Sequence, residues 1–361
     1  MTKPQSIILN DRPVSSEEIL RQISAMTSKA PVPEWEKELL LFLNEWFSDS
    51  DFIRAQTSGS TGAPKPIELS KNMMIKSAER TIGYFGLKKG DRLLLSLSCR
   101  YIAGKMMVVR AIEGQMNLIT TDPSGDFHFL KDKSFDFGAM VPNQIYKLLE
   151  QPSGIEKLQN IRNLLIGGSS ISQELEAQIS KLSNRVVLTY GMTETASHIA
   201  IRELSGKYRS GLYRCLPGIT VGLRKDGCLQ IHLPEIENTL QTNDLAELQS
   251  DSGFRILGRA DSVIISGGIK FSPEIVEKRL EQELSIRFVI SSLPDEKLGE
   301  KLVLVLEGKP FATADLEQKL SKLLTDYQRP KTICFLNEFP ETSSGKVMRD
   351  GVKRQIREQA S

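Results

Sequence analysis

The most restrictive feature of the sequence is an alternation of short apolar runs with amphipathic segments across residues 92–190. The runs are rich in Leu, Ile and Val and read RLLLSLS, MNLITT, FGAMV, NLLIGG and RVVLTY. Helix-like stretches such as GKMMVVRAIEG and PNQIYKLLE separate them. Strands that are apolar on both faces and are joined by helices predict an α/β fold with a mostly parallel, buried sheet.

Helical patterns precede this alternation. SSEEILRQISAM has helical apolar spacing and a capping box formed by Ser15 and Glu18, and EWEKELLLFLNEWF is a second amphipathic segment. A third helix is predicted from Lys71, with Ser70 as its N-cap and Gly86 as its end.

After the alternation the pattern changes twice. From about residue 219, closely spaced strands with Gly and Asp turns predict a β-rich, hairpin-containing subdomain. Beyond GRADSVII, the strands IRFVISSL, KLVLVLEG and TICFL and a helix near 313–325 predict a small α+β domain. We therefore expect two domains, residues 1–260 and residues 261–361.

Composition argues against several classes of partner. The chain has 47 Lys and Arg against 45 Asp and Glu, a formal charge of +2, which is too balanced for a nucleic-acid surface. No apolar stretch approaches the roughly 18 residues of a membrane helix, so we expect no membrane insertion and a cytoplasmic location. The four cysteines form no Cys-x-x-Cys pair and the three histidines are dispersed, so we assign them neither a disulfide nor a metal.

The segment TSGSTGAPKP, residues 57–66, has the residue types of a phosphate-binding loop. Hydroxyls and unhindered backbone N–H groups suit phosphate oxygens, and a lysine adds positive charge. A Walker-type loop needs Gly before Lys and a helix after it, whereas Pro64 and Pro66 flank Lys65 and PIELS reads as extended. We therefore expect a loop held between strands; taken alone, the segment could equally be a Ser/Gly surface turn.

Further stretches carry groups suited to a nucleotide. IGGSSIS places paired glycines after a predicted strand, where backbone can approach a planar ligand. YGMTETASHIA offers an aromatic face, a hydroxyl and a carboxylate that could hold Mg²⁺. An aspartate is added by QTNDLAEL, and an Arg and Asp pair before a Gly-Gly turn by GRADSVIISGGIKF. A lysine is added by PETSSGKVMRD. Singly, each could be an ordinary core or surface feature.

In this order and at these separations, the stretches resemble the adenylate-forming superfamily of acyl-CoA synthetases, firefly luciferase and the adenylation domains of peptide synthetases. The resemblance implies that a carboxylate attacks the α-phosphate of ATP to give an acyl-adenylate and pyrophosphate. A thiol, usually CoA, then takes the acyl group. It also implies a small, mobile C-terminal domain that rotates between the two half-reactions. ATP, Mg²⁺, CoA and a small carboxylic acid are the expected ligands, and a homodimer is left open.

The resemblance also assigns roles residue by residue. The loop over the β- and γ-phosphates comprises Thr57, Ser58, Gly59, Ser60, Thr61, Gly62 and Lys65. The adenine site comprises Gly167, Gly168 and Tyr190, with Thr193 at the α-phosphate and Glu194 at Mg²⁺. Ribose contacts come from Asp244 and Arg259, the hinge is Asp261, and the CoA tunnel is approached by Gly267 and Gly268, which could also be a plain hairpin turn. The catalytic lysine, which bridges the substrate carboxylate and the α-phosphate, is Lys346.

The chain departs from the superfamily pattern at three points. Pro66 and Asn243 each stand where a Gly is usual, which affects local loop geometry. Only 56 residues precede the phosphate loop, so we expect a shortened N-terminal part. A deep tunnel for a long fatty acid is harder to build in such a chain, and a compact acid is favoured.

The acyl site is expected around LSLSCRYIAGKMMVVRAI. Candidate substrate contacts are Arg100, Tyr101, Lys105 and His198, with Arg110 and Arg202 as further cations. One of these could pair with a second carboxylate on the substrate, although each taken singly could be a solvated charge.

The chain resembles bacterial o-succinylbenzoate-CoA ligases of menaquinone biosynthesis in its short length and in the stretches CRYIAGKMM and YGMTETASHIAIREL. The substrate implied is a compact aromatic dicarboxylate. Two alternatives stay open. One is an adenylating enzyme for another aryl or short-chain acid, which could load a carrier protein. The other is a nucleotide-binding relative without turnover, against which the presence of both Lys346 and Glu194 argues.

Overall fold

The structure is a computed structural model. It describes residues 5–25, 32–56, 66–125, 127–249, 253–281, 283–284, 286–341 and 347–360. The predicted phosphate-loop residues 57–65 and Lys346 lie outside the described residues, so their roles stay predictions. The chain divides into two compact units, which are described separately. Unit 1 comprises Met1–Ser170, Gln178–Thr220 and His232–Asn238, and unit 2 comprises Ile171–Ala177, Val221–Ile231 and Thr239–Ser361.

The helices and strands follow the chain in this order. The helices are α1 (Ser16–Ala25), α2 (Glu34–Phe47), α3 (Lys71–Phe85), α4 (Ile102–Glu113), α5 (Pro142–Leu149), α6 (Gly154–Gln159), α7 (Gln173–Ile179), α8 (Pro273–Leu280), α9 (Ala314–Leu323) and α10 (Arg349–Ala360). The strands are β1 (Ser6–Leu9), β2 (Arg12–Ser15), β3 (Phe52–Gln56), β4 (Pro66–Ser70), β5 (Arg92–Leu95), β6 (Asn117–Thr120), β7 (Phe135–Met140), β8 (Ile161–Ile166), β9 (Arg185–Gly191), β10 (His198–Glu203), β11 (Tyr213–Cys215), β12 (Thr220–Leu223), β13 (Cys228–His232), β14 (Leu240–Leu248), β15 (Gly253–Arg259), β16 (Ile264–Ser266), β17 (Ile269–Phe271), β18 (Phe288–Asp295), β19 (Gly299–Glu307) and β20 (Thr332–Leu336).

The main sheet of unit 1 has the strand order β2-β1-β6-β5-β7-β8-β9-β10-β11. The strands from β1 to β9 in this order are parallel, and β2, β10 and β11 are antiparallel to their neighbours. The predicted α/β alternation is therefore confirmed. Because β5 lies between β6 and β7, the direction of strand addition reverses there, and ligands of open α/β sheets bind at such a switch point.

The predicted phosphate loop is bracketed by a two-stranded antiparallel sheet. Strand β3 pairs with β4, and Gln56 lies opposite Pro66, so the chain enters and leaves residues 57–65 through adjacent strands. This confirms the predicted setting between strands. Helix α3 then begins at Lys71 and ends at Gly86, which has a left-handed φ of 62°.

The strands of unit 2 form two groups. The first is the antiparallel series β12-β13-β14-β15, which confirms the predicted hairpin-rich region. The second has the order β17-β16-β19-β18, with β20 parallel to β19. Strand β19 is buried on both faces, because Leu304 packs in the cluster that contains residues of α8 and α9 and Val305 in the cluster that contains residues of α10. The predicted small α+β core is confirmed, and the boundary after residue 260 stays a prediction.

The N-terminal hairpin was not predicted from the sequence. Strands β1 and β2 are joined by Asn10 and Asp11, both with positive φ, and β1 adds to the parallel strand β6. The Asn10 side chain donates to Thr120 Oγ1 at 3.0 Å and accepts from the Thr120 N–H at 3.0 Å. Asn117 likewise exchanges two hydrogen bonds with Asp11. These paired amide contacts fix the hairpin on the sheet.

Candidate active site

One buried amide joins three loops at the carboxyl edge of the parallel strands of unit 1. Gln144, in the first turn of α5, accepts from the Val141 N–H at 3.0 Å and donates to the carbonyls of Ser96 and Pro123 at 2.7 and 2.8 Å. The Ser96 hydroxyl in turn donates to the carbonyl of Ala139. The loops after β5, β6 and β7 are therefore held together where a ligand is expected. The sequence did not single out Gln144.

The predicted glycine pair follows directly on β8. A Cβ at position 167 would lie 2.6 Å from Thr189 Oγ1, which is occupied in a hydrogen bond to the carbonyl of Ile166. Gly168 has a φ of +92°, a conformation that favours glycine. Both positions therefore favour glycine, and contact of this backbone with a flat ligand stays a prediction.

Tyr190 is the penultimate residue of β9 and is half-buried. Its ring centroid lies 5.8 Å from that of Tyr213 on β11, at an interplanar angle of 58°. Strand β9 ends at Gly191, where a Cβ would lie 2.4 Å from the carbonyl oxygen of Ser197. The sheet thus presents an aromatic residue one strand away from the glycine pair.

A tight turn carries the predicted phosphate and metal residues. Thr193–Thr195 form a single 3-10 turn between β9 and β10. The Thr195 hydroxyl accepts from the Met192 N–H at 3.0 Å and donates to the carbonyl of Ser197 at 2.6 Å. Thr193 is buried, and Glu194 between the two threonines is half-buried. The turn is fixed by its own side chains.

The carboxylate of Glu194 fits a magnesium ion whose other ligands include phosphate oxygens. Mg²⁺ is commonly held by one or two carboxylates together with substrate phosphate oxygens. Among the described residues no group of three metal-ligating side chains exists. The single carboxylate of Glu194 suits an ion that arrives with a nucleotide.

The predicted ribose residues of unit 2 contact each other. Asp244 on β14 lies directly opposite Arg259 on β15, and the Arg259 Nη1 donates to Asp244 Oδ1 at 3.2 Å. Asp244 is preceded by Thr242, a buried residue whose hydroxyl donates to the carbonyl of Leu229 at 2.8 Å and accepts from the Asp244 N–H at 3.1 Å. Asp261, the predicted hinge, accepts two further bonds from Arg259.

The predicted CoA-tunnel glycines form a two-residue hairpin turn in unit 2. Gly267 and Gly268 have φ values of +58° and +80° and join β16 to β17. The Gly267 N–H donates to the carbonyl of Leu298 at 3.0 Å. This geometry matches the plain-turn alternative, and contact with CoA stays a prediction.

The predicted acyl-site cations differ in their surroundings. Arg100 is exposed, and Tyr101 is half-buried at the start of α4. Lys105 is buried; its Nζ donates to the carbonyl of Arg54 at 2.7 Å and lies 3.8 Å from a carboxylate oxygen of Glu45. Burial lowers the pKa of Lys105, and Glu45 opposes this shift. Lys105 thus already has partners.

Arg110, five residues further along α4, is buried without a carboxylate partner among the described residues. Its Nη2 donates to Ser197 Oγ at 2.6 Å and its Nη1 to the sulfur of Met107 at 3.6 Å, and its Nε has no hydrogen-bond partner in the described part of the chain. The guanidinium lies 5.9 Å from the Phe137 ring centroid. Burial lowers its pKa, and no nearby acid opposes this shift. This is the least compensated charge of the unit 1 site.

His198 is buried beside this arginine. Its Nδ1 lies 3.1 Å from Ser197 Oγ, and its Nε2 lies 3.4 Å from the hydroxyl of Thr81 on α3. Burial, together with the positive charge of Arg110, lowers the pKa of His198 well below its ordinary value. The imidazole is therefore neutral near pH 7. The sequence indicated His198 and Arg110 separately. It did not indicate Ser197, which lies between them, or Thr81, which contacts the other side of the imidazole.

A family model and a solved structure match most of the regions described above. The model of the AMP-binding enzyme family matches residues 47–226. An acyl-CoA synthetase (AMP-forming)/AMP-acid ligase II-like protein from Dyadobacter fermentans is 35% identical, with 92% of this chain and 97% of that chain covered and a TM-score of 0.60.

Two more distant proteins are also similar. The 2-succinylbenzoate-CoA ligase of Lactococcus lactis is 25% identical over 322 residues, which is 82% of this chain and 69% of that protein. The o-succinylbenzoate CoA synthetase of Bacillus subtilis, solved with the acyl-adenylate intermediate OSB-AMP, is 18% identical and has the same fold, with a TM-score of 0.76 over 98% of this chain and 96% of that one. None of the described helices is long and apolar enough to cross a membrane.

Proposed function

Because the chain belongs to the AMP-binding enzyme family of AMP-forming acyl-CoA synthetases, we propose that it is an ATP-dependent acid-thiol ligase. It converts a compact carboxylic acid to an acyl-adenylate and then transfers the acyl group to CoA. The acid we propose is o-succinylbenzoate, which places the reaction in menaquinone biosynthesis. The name of the Lactococcus lactis relative and the ligand named for the Bacillus subtilis structure support this choice.

The observation that carries the choice of acid is the buried guanidinium of Arg110. A buried charge without a partner costs several kcal/mol, and no described carboxylate compensates this one. A second carboxylate on the substrate would supply the missing anion. Position 110 lies on α4, which forms most of the predicted acyl segment. A dicarboxylate therefore fits better than a monocarboxylate.

The remaining residues suit the first half-reaction. The glycine pair at 167 and 168 and Tyr190 provide a flat face and an aromatic ring for adenine, and Thr193 offers a hydroxyl to the α-phosphate. Glu194 would hold Mg²⁺, which when bound neutralises phosphate charge. The substrate carboxylate attacks the α-phosphorus, the α–β phosphoanhydride bond breaks, and pyrophosphate leaves. Catalysis is then positioning and charge stabilisation.

The later steps rest on residues predicted from the resemblance. Lys346 bridges the substrate carboxylate and the α-phosphate in the first step. Rotation at Asp261 then replaces it with the turn at Gly267 and Gly268. The CoA thiolate attacks the acyl carbon, and AMP leaves. Asp244 and Arg259 bind the ribose hydroxyls in this proposal.

The test compares two acids that differ by one group. o-Succinylbenzoate and 4-oxo-4-phenylbutanoate share the succinyl carboxylate that is activated, and only the first has the ring carboxylate. We expect the wild type to have a much lower KM for o-succinylbenzoate in pyrophosphate release with ATP, Mg²⁺ and CoA. Arg110→Met should raise that KM by about 30-fold or more, the usual cost of deleting one member of a buried charge pair.

The outcomes separate the acid from the reaction. Equal KM values for the two acids in the wild type would reject the dicarboxylate. If the enzyme turns over neither acid and no acid of a wider aryl and short-chain panel, the ligase proposal is rejected. Release of pyrophosphate that no longer needs free CoA would favour transfer to a carrier protein. We also propose a cytoplasmic location and leave a homodimer to light scattering on the purified chain.

A further inference from the structure

The contacts beside Arg110 fix the direction of a buried hydrogen-bond chain. A guanidinium can only donate, so Ser197 Oγ accepts from Arg110 Nη2 at 2.6 Å. The Ser197 hydroxyl proton is then available for His198 Nδ1, 3.1 Å away. An Nδ1 that accepts leaves the ring proton on Nε2, which lies 3.4 Å from Thr81 Oγ1. The Thr81 hydroxyl in turn donates to the carbonyl of Ser77 at 3.0 Å.

We propose that His198 is a positioning residue that aims Arg110 at the substrate through Ser197. This inference rests on the proposed role of Arg110 as the partner of the second carboxylate. The imidazole Nδ1 accepts a hydrogen bond from the Ser197 hydroxyl, so the lone pairs of Ser197 Oγ remain available to Arg110 Nη2. That contact holds Nη2 of the guanidinium, and the buried Nε is left without a hydrogen-bond partner among the described residues.

The chain works only with a neutral histidine that has its proton on Nε2. An imidazolium would present a second N–H to Ser197 Oγ, beside the charge of Arg110, and both donors would compete for one oxygen. Of the groups packed against the ring, Arg110 from α4 is the charged one and Thr81 from α3 is neutral. Burial and Arg110 both lower the pKa of the ring, which agrees with this state.

The kinetic test uses a removal variant, a conservative variant and the two acids. His198→Ala should raise the KM for o-succinylbenzoate by about 5- to 10-fold, the usual effect of one hydrogen bond between neutral groups. The ratio of the two KM values should therefore fall toward one. His198→Asn keeps an acceptor at the place of Nδ1 and should restore most of the ratio, whereas a purely structural loss would change both KM values together.

A second readout is independent of turnover. In protein labelled with ¹⁵N-histidine, the His198 ring should show the neutral form with its proton on Nε2 at pH 6, identified by comparison with His198→Asn. A protonated ring, or a proton on Nδ1, would overturn the proposal. Loss of acid preference in Arg110→Met but not in His198→Ala would also reject it while leaving the proposed function intact. Absence of any acid preference in the wild type would reject the proposed dicarboxylate substrate, and the ring measurement would still test the hydrogen-bond chain from Arg110 to Thr81.

Discussion

Arg259 donates two parallel hydrogen bonds to Asp261, from Nε to Oδ1 at 2.8 Å and from Nη2 to Oδ2 at 2.6 Å. The same guanidinium contacts Asp244 at 3.2 Å. The predicted ribose arginine therefore binds the predicted hinge aspartate and the predicted ribose aspartate at once. These bonds hold the pKa of Asp261 below its ordinary value.

The pair should stabilise the protein in a pH-dependent way. Because the pKa of Asp261 is lower in the folded chain, its contribution is present at neutral pH and is lost as the pH falls through the acid range. Asp261→Asn should reduce the free energy of unfolding by about 1 kcal/mol at pH 7, and the difference from wild type should shrink by pH 3. Urea unfolding of both proteins at the two pH values measures this. An equal difference at both would show that the charge plays no part.

Arg110 should cost stability in the absence of substrate. Replacing an uncompensated buried charge with an apolar side chain of similar length is neutral or stabilising by about 1–4 kcal/mol. Arg110→Met should therefore raise the thermal midpoint of the free protein while weakening its use of a dicarboxylate. The measurement is thermal unfolding with and without o-succinylbenzoate.

Arg185 is the matched control for that substitution. It also lies against aromatic rings, with its guanidinium 4.9 Å from the Tyr84 ring and 4.8 Å from the Phe85 ring. Unlike Arg110, it forms an ion pair with Glu203. Arg185→Met leaves that carboxylate without its cation and should destabilise the protein by about 1–3 kcal/mol, the usual cost of an acceptor that loses its partner. A lower midpoint for both variants would mean that Arg110 is structural.

The strands of unit 1 and the cations of α4 show how much of the fold and of the site could be predicted from the sequence. Alternating apolar runs predicted β5 to β9, because each strand records its own burial in its composition. The hairpin that includes Ile8 was not predicted, since its strands are four residues long and its partner Asn117 is far away in sequence. Likewise, the sequence marked Lys105 and Arg110 as unusual. Which of them has a carboxylate partner depends on how α2, β3 and the residues before β10 pack against α4.

Gly167 should not tolerate a side chain. An added Cβ would lie 2.6 Å from Thr189 Oγ1, so Gly167→Ala should cost about 1–3 kcal/mol of stability, as overpacking usually does, and should raise the KM for ATP. Gly83→Ala is the control, because no atom lies within 4 Å of its Cβ position in α3, and it should stabilise by about 0.4–1 kcal/mol.

A second substitution decides whether the clash is the cause. Thr189→Ala removes the hydroxyl that the new methyl group would meet. The double variant with Gly167→Ala should therefore lose less free energy of unfolding than the sum of the losses in the two single variants. Strict additivity in urea unfolding would show that Thr189 is not the obstacle.

Gln144 should become a pH-sensitive position when it is replaced by glutamate. One carboxylate oxygen of Gln144→Glu can still accept from the Val141 N–H, but the other would face the carbonyls of Ser96 and Pro123, which the native amide contacts as a donor. Only a protonated acid can donate to them, so the folded protein should raise the pKa of the new group. The folded state then binds more protons than the unfolded one above about pH 4, and its stability falls as the pH rises until the group ionises in the folded state too.

The measurement is the thermal midpoint of wild type, Gln144→Glu and Gln144→Met between pH 4.5 and 8. Gln144→Met loses all three hydrogen bonds at every pH, so its difference from wild type should be constant. Gln144→Glu should be close to wild type at pH 4.5 and fall below it toward pH 8. If its curve runs parallel to that of Gln144→Met, the second oxygen does not face the two carbonyls, and the loops after β5 and β6 are held by other contacts.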